Sequence, residues 1–340
     1  MAISQILIEH YWKPIAPLLA IEALSDIRII SFDNIWIVEN GQRIKTDCAW
    51  PNAAAFENAL MHLSRTTGHD LSPARPTMDT MLPDGSRVNA GIPPRSPHAH
   101  ATLRVLRTQH ASLEQLAKAM IAPPMMQVIR RALDARLNIM ISGETSSGKT
   151  TLMRALLREC GAEQAVFIIE DTAELNLTLP CAITHETPYD PKAPVDPSVD
   201  SIYSALRSAP DIVGLGEIRR PPQLLAYLRV LSTGFRGCLT TMHAAPGQGV
   251  VNRGEEMLME TISFSNPAAY TRLMLQNIDM LIHCSSRHHA GHERRVSHLH
   301  WIDHAADNAV RELHRLEQGR IVSNGAALDL FIPYLDRING

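Results

Sequence analysis

No stretch of about eighteen consecutive apolar residues occurs in the 340-residue chain, so no membrane-spanning helix is expected. The five cysteines, at 48, 160, 181, 238 and 284, form no Cys-x-x-Cys pair and no zinc spacing. An odd count spread so widely reads as reduced, cytosolic thiol rather than a disulfide framework. Basic charge is not in excess either: 32 Lys and Arg stand against 35 Asp and Glu, a formal net charge of -3. That excludes a strongly basic nucleic-acid scavenger, while a local basic patch stays open. The N-terminus lacks the basic n-region of a signal peptide, and Glu9, His10 and Lys13 interrupt its apolar residues. What the chain does have is apolar residues at 45% and charged residues at only 20%, enough for a large core in two domains.

Leu7, Ile8, Tyr11, Trp12 and Ile15 recur at helical spacing, with Leu18 and Leu19 beyond, and Pro14 and Pro17 divide the run. This face is expected to cover the chain's own sheet; lipid or a partner is the alternative. "IRIISF" and "NIWIVENG" read as strands with a turn at Glu39-Asn40-Gly41. Residues 51–69 read as a helix stopping at Gly68. A turn and strand follow at 82–90, and another strand at 100–107. Residues 1–108 thus form a small α+β domain. A helix ended by Pro123-Pro124 makes 109–125 the linker and connecting helix. Residues 126–340 form the second domain. There "LNIMISG", "AVFIIED" (165–171), "DIVGLGE" (211–217) and "GCLTTMHA" are apolar runs separated by helical stretches, which predicts α/β layers around a parallel sheet.

Gly143-Glu144-Thr145-Ser146-Ser147-Gly148-Lys149-Thr150 matches G-x-x-x-x-G-K-[ST], between an apolar strand and a helix starting near Lys149. Backbone N–H groups of such a loop cradle phosphate, and the new helix points its positive end at the same place. Lys149 is expected to reach the β- and γ-phosphates, and the Thr150 hydroxyl to ligate Mg²⁺. Carboxylates at neighbouring strand ends should supply metal support and a water-orienting base. Glu217, ending its run in Gly-Glu, is the expected base. Glu170, Asp171 and Glu174 are expected to support the metal, the water or nearby basic groups. Thr241 and His243, ending the adjacent strand, would lie at the γ-phosphate edge, His243 as a sensor or as a packed histidine.

These residues resemble the secretion-superfamily ATPases of the VirB11 type. "GETSSGKTTL" looks like their Walker A motif, "IIEDTAEL" (168–175) like their Asp box, "LRSAPDIVGLGEIR" (206–219) like their Walker B region, and "GFRGCLTTMHA" (234–244) like their His box. The N-terminal half adds "SDIRI", "NIWIVENG", "LPDGSRVNAGIPP" and "ATLRVLR". The resemblance implies an α/β RecA-like P-loop domain preceded by a smaller, PAS-like α+β domain. By position it implies Glu217, Lys149, Glu170, Glu174 and His243 at the catalytic centre. Gly143 through Thr150, with Thr151 and Arg104, would bind ATP; Arg87 is a weaker candidate of the same kind. Mg²⁺ would fall to Thr150, Glu170 and Asp171. It also implies a cytoplasmic homo-hexamer, peripheral at the cytoplasmic face of the inner membrane, working with secretion-channel proteins and coupling ATPases. A nucleic-acid-translocating ring, a type II secretion or pilus ATPase, and a non-hydrolysing docking subunit are the alternatives.

Three positions depart from the pattern. Phe235 stands where the box usually has its first histidine, Arg236 where proline is common, and Ala209 where many members carry arginine. Arg236 is a candidate replacement for the lost cation. The histidine-rich segment 283–301 reads as a solvated turn between two strands, because Arg287, Arg294 and Arg295 repel a metal. "LDLFIPYLDRING" reads as a small docking tail whose apolar residues pack on the same chain.

Overall fold

The computed structural model describes residues 11–339 except 22, 40–41, 83–84, 106–111, 161–162, 173, 189–192, 264–265, 267 and 288–292. The described residues fall into two compact units, one within 1–109 together with Arg287 and one within 110–286 and 293–340. Among them no helix is long and apolar enough to cross a membrane.

The first unit is an antiparallel six-stranded sheet, β3-β2-β1-β6-β5-β4. Its strands are β1 (Leu24–Ser31), β2 (Asn34–Glu39), β3 (Gln42–Lys45), β4 (Thr77–Met81), β5 (Arg87–Gly91) and β6 (His100–Arg104). Period-two patterning sets its faces: Ile27, Ile29, Ile35 and Ile37 are buried, while Ile30 is exposed. The helix Ala53–Thr66 joins that core through Phe56, Ala59, Leu60 and Leu63, and its N-cap Asn52 accepts a hydrogen bond from the Ala55 N–H at 2.9 Å. Of the expected first helix, residues 1–10 lie outside the described residues. The remainder is a 3₁₀ turn, Lys13–Ile15, and a single α turn, Ala16–Leu19, each with a proline in its first turn. Trp12, Ile15 and Leu18 pack into the sheet's own core.

In the second unit the prolines do more than was expected. The helix Leu113–Ala119 ends before them, and Pro123 opens another, Pro123–Asp134. Proline fits there because the first helical N–H groups have no intrahelical partner. The nine-stranded sheet has the order β15-β14-β13-β12-β7-β11-β10-β8-β9. Its strands are β7 (Ile139–Gly143), β8 (Val166–Glu170), β9 (Ala182–Glu186), β10 (Ile212–Ile218), β11 (Cys238–Met242), β12 (Met280–Arg287), β13 (Glu293–Asp303), β14 (Ala309–Glu317) and β15 (Arg320–Ser323). From β12 to β9 every pairing is parallel. Strands β7, β8 and β11 are buried at every position because helices cover both faces. Ile139, Ile141 and Ile168 join the helices Leu113–Ala119, Pro123–Asp134, Lys149–Glu159 and Gly325–Asn339 on one side. Met140, Phe167 and Ile169 join the helices 197–207, 221–231, 248–261 and 268–275 on the other.

The expected docking tail is the helix Gly325–Asn339, whose buried Ala327, Phe331 and Leu335 recur every four residues and pack in the same core as Trp301. The histidine-rich segment is split between β12 and β13, its turn lying outside the described residues. His283, His298 and His300 stand in file, with neighbouring ring centroids 5.9 Å apart. Burial, then the neighbouring rings, push His283 down to about 4; burial also pushes His300 down to about 4 and lowers His298.

The file gives an expected pH dependence. An unfolded histidine takes up its proton near its ordinary value, whereas the folded His283 and His300 resist until about pH 4. More protons are bound by the unfolded chain in that interval, so the two residues withdraw stability as pH falls from about 6.5 to 4. Urea unfolding across that range should show a shallower pH slope for His283→Gln/His300→Gln than for the unaltered chain. An unchanged slope would refute the assignment.

Candidate functional site

Strand β7 ends at Gly143, whose φ is +149° and whose absent Cβ would fall 2.1 Å from the Cys284 carbonyl oxygen. Only glycine fits there. Ser146 and Gly148 also have positive φ, +64° and +97°, which curls the loop into the helix Lys149–Glu159. That helix has no side-chain cap on its first turn. Its leading N–H groups are therefore a place for an anion. Glu144, Thr145 and Ser146 form the exposed tip, while Ser147, Gly148 and Lys149 are buried and Thr150 and Thr151 half-buried. The Ser147 hydroxyl is buried without a hydrogen-bond partner.

Lys149 is 6% exposed. Its Nζ donates to the carbonyls of Gly143 at 3.1 Å and Glu144 at 2.8 Å. Burial pulls its pKa below the usual lysine value, and the nearby Glu217 charge opposes that pull. The helix start is therefore headed by a caged ammonium.

Strands β7, β11 and β10 are neighbours, so their ends bring the loop, His243 and Glu217 together. Register slips in β10 between Leu215 and Ile218. A bulge of this kind re-aims a side chain, here Glu217. Thr241 donates to the Gly216 carbonyl at 2.8 Å, inside the irregular stretch. Its hydroxyl is thus occupied in holding the bulge and is buried, rather than facing a phosphate as expected from the sequence. Glu217 Oε2 accepts from Arg219 Nε at 2.9 Å and Nη2 at 2.7 Å. Glu217 Oε1 is buried without a hydrogen bond of good geometry, although His243 Nε2 lies 3.0 Å away. The His243 Nδ1 sits 3.1 Å from the Gly143 carbonyl and 3.3 Å from Lys149 Nζ. It donates to the first or accepts from the second according to tautomer. His243 therefore touches both Lys149 and Glu217.

The three acids at and beyond the end of β8 part company. Glu170 Oε1 accepts from the backbone N–H groups of Glu174 at 3.0 Å and Leu175 at 2.8 Å. Burial raises its pKa to about 7. Asp171 is engaged through both oxygens by Arg220, at 2.8 and 2.9 Å. Glu174 Oε2 alone meets the P-loop, 3.5 Å from Thr150 Oγ1.

Arg104 and Arg87 are direct cross-strand partners in the first unit's sheet, and Arg104 Nε bonds Asp26 Oδ1 at 3.1 Å. Arg236 lies before β11, 3.8 Å from Asp279 Oδ2. His243 follows the other end of the same strand, some 7 residues on, or roughly 20 Å of extended chain. Arg236 therefore stands at the opposite end of β11 from His243. Sequence reasoning assigned no role to Arg219, Arg220 or Gln223. Arg219 and Arg220 follow the Gly-Glu pair after Ile218, a local signal; Arg219 pairs within that stretch with Glu217, whereas the Asp171 and Asp196 partners of Arg220 lie elsewhere in the chain.

With this geometry in place, comparison with known proteins is informative. The family described as type II/IV secretion system protein matches residues 12–321. The chain belongs to that family. Within it, this secretion-system protein is similar to the type IV secretion system protein VirB11 of Brucella suis. The two are 26% identical over 273 residues, 71% of this chain and 74% of the relative. It is 29% identical over 242 residues to an uncharacterised protein of Methanocaldococcus jannaschii, covering 68% of this chain but only 42% of that longer protein. Its fold matches the Legionella pneumophila ATPase DotB with a TM-score of 0.60 at 18% identity, over 99% of this chain and 85% of that one. The RecA-like α/β fold and the VirB11 resemblance read from the motifs therefore hold.

Removing the Thr241 hydroxyl should unsettle the bulge without changing side-chain volume. Thr241→Val removes the hydrogen bond to the half-buried Gly216 carbonyl, which costs about 1 kcal/mol. Urea unfolding should show that loss; a change below about 0.5 kcal/mol would mean the carbonyl finds another donor.

Proposed function

We propose that this secretion-system protein is a Mg²⁺-dependent ATPase, a cytoplasmic hexameric motor of a type IV secretion or conjugation machine. The observation that carries the reading is the buried Lys149 ammonium at an uncapped helix start, beside a Glu217 carboxylate whose Oε1 makes no hydrogen bond of good geometry and lies 3.0 Å from His243 Nε2. An anion with several oxygens is the ligand such a cage suits. The relatives' names supply the system: type IV secretion and conjugal transfer.

Lys149 and the first-turn N–H groups hold the phosphates. Burial strengthens their pull because little water competes. Thr150 Oγ1 and Glu174 Oε2, two oxygens 3.5 Å apart, suit a hard cation and would hold Mg²⁺. When bound, that ion supplies neutralisation of charge on the phosphate oxygens. Glu217 Oε1 orients the attacking water and takes up its proton, while Arg219 keeps Oε2 fixed. His243, in contact with both Lys149 and Glu217, reports on the occupied site. The energy released acts on a protein partner. Secretion-channel proteins, coupling ATPases and peripheral contact at the cytoplasmic face of the inner membrane belong to the same reading.

Phosphate release from ATP should fall at least about a hundredfold in Glu217→Gln while nucleotide binding persists, and both should be lost in Lys149→Ala. Native mass measurement with ATPγS and Mg²⁺ should give a ring of six. Turnover surviving in Glu217→Gln, or a monomer that binds without hydrolysing, would sink the proposal.

A further inference from the structure

We infer that Glu170 and Asp171 are two pegs that fix the loop after β8, leaving Glu174 as the one acid of the three that serves the bound metal. Glu170 is then a positioning residue and Asp171 a loop anchor, neither of them a metal ligand. The role given to Glu174 rests on the ATPase reading; the pegging itself does not.

Glu170 ends β8 and is 4% exposed. Its main chain is committed first: the carbonyl accepts from the Thr187 N–H at 2.7 Å and the Thr187 hydroxyl at 3.2 Å. Its side chain then turns back over the loop, and Oε1 takes both the Glu174 and Leu175 N–H groups. Gly216 makes the room: a Cβ there would stand 3.2 Å from Glu170 Cγ. Leu175, fully buried, drives the loop's far end into the core.

The second peg is built from more distant sequence. Arg220 grips Asp171 through two nitrogens and also pairs with Asp196, the N-cap of the helix Pro197–Arg207. Gln223 completes it, its Oε1 accepting from the Arg219 and Arg220 N–H groups at 3.0 Å each and its Nε2 donating to Ser198 at 2.9 Å. Arg154 Nη2 further donates to the Glu174 carbonyl. With the loop's backbone held on all these sides, the Glu174 side chain is the part directed to Thr150. Both backbone bonds fall on Oε1, and Mg²⁺, which demands regular octahedral geometry, would have to reach the carboxylate of a residue 4% exposed and turned back over its own loop.

The substitutions Glu170→Gln and Glu170→Ala separate a peg from a ligand, because a glutamine amide oxygen accepts the same two N–H groups but is a poor Mg²⁺ ligand. On the full chain, hydrogen exchange at the Glu174 and Leu175 amides should match the unaltered protein in Glu170→Gln and speed by about tenfold or more in Glu170→Ala. The Mg²⁺ concentration for half-maximal phosphate release should stay within about twofold in Glu170→Gln and rise by about tenfold in Glu170→Ala. Glu170→Ala/Glu174→Ala should be no worse than Glu174→Ala alone, as expected when one residue acts through the other. A tenfold rise in Mg²⁺ requirement for Glu170→Gln with its amides still protected would make Glu170 a ligand and overturn the inference. So would unchanged amide exchange in Glu170→Ala. If Glu170→Ala does not fold, Glu170→Gln decides alone. Absence of turnover in the unaltered chain defeats the ATPase reading, and the exchange measurement still decides the peg.

Discussion

A lysine ammonium with 6% exposure must be neutralised where it lies, since desolvating a lone charge is far costlier than any single packing contact can offset. The C-terminal edge of the parallel sheet is organised around that requirement. Two loop carbonyls accept from Lys149, Glu217 supplies the opposing charge, and Arg219 holds the Glu217 Oε2 oxygen. The positive φ angles at Gly143, Ser146 and Gly148 follow from the same need, because a loop of ordinary handedness would not turn its backbone around one cation. Such a cage holds its charge ready for a ligand with several negative oxygens, so little reorganisation is left for the moment of binding.

What fixes the top of the sheet is partly at its bottom. The Asn138 carboxamide accepts from the Cys238 N–H at 3.1 Å and donates to the carbonyls of Phe235 at 3.2 Å and Asn277 at 3.0 Å. Its backbone N–H reaches Asp279 at 2.8 Å. One side chain therefore ties the starts of β7, β11 and β12 in register. Asp279, itself buried, also takes His304 and Tyr334, each at 3.2 Å, which joins the C-terminal helix to the same knot. The hydrogen bond to Asp279 raises the His304 pKa, so acid favours that contact. Strands of five residues fully buried in a packed sheet have no slack, so alignment at their starts sets where the P-loop and His243 emerge.

The sequence made the P-loop, the buried parallel strands and the acid that ends the β10 run legible, because each is written locally. Glycine spacing, an unbroken apolar run and an acid at a strand end are each read within a few residues. What it left unread is non-local. The Arg220–Asp171 pair joins residues 49 apart, and nothing beside Asp171 says that its carboxylate is already taken. The bulge at Gly216–Glu217 depends on β11, so Thr241 looked like a ligand-facing hydroxyl when it serves a carbonyl across the sheet. Pro123 and Pro124 illustrate a two-sided signal: proline both disfavours helix before it and suits a helix start, and only packing shows that both happen.

Phe235 sharpens the same distinction between what a side chain says and what a position does. A histidine there would bring a polar ring; phenylalanine instead packs, half-buried, against the core formed with Leu231 and Cys238. Yet the contact that matters for register is made by its main chain, the carbonyl that Asn138 grips, and this survives any side chain that leaves the turn intact. Arg236, next in line, is pulled toward the buried Asp279 charge and away from the nucleotide edge. The departures at 235 and 236 therefore act on the base of β11, whereas the chemistry proposed for the domain sits at its top. Signals passing along this strand would have to travel through its rigid alignment, with His243 as the polar group at the end that faces Lys149.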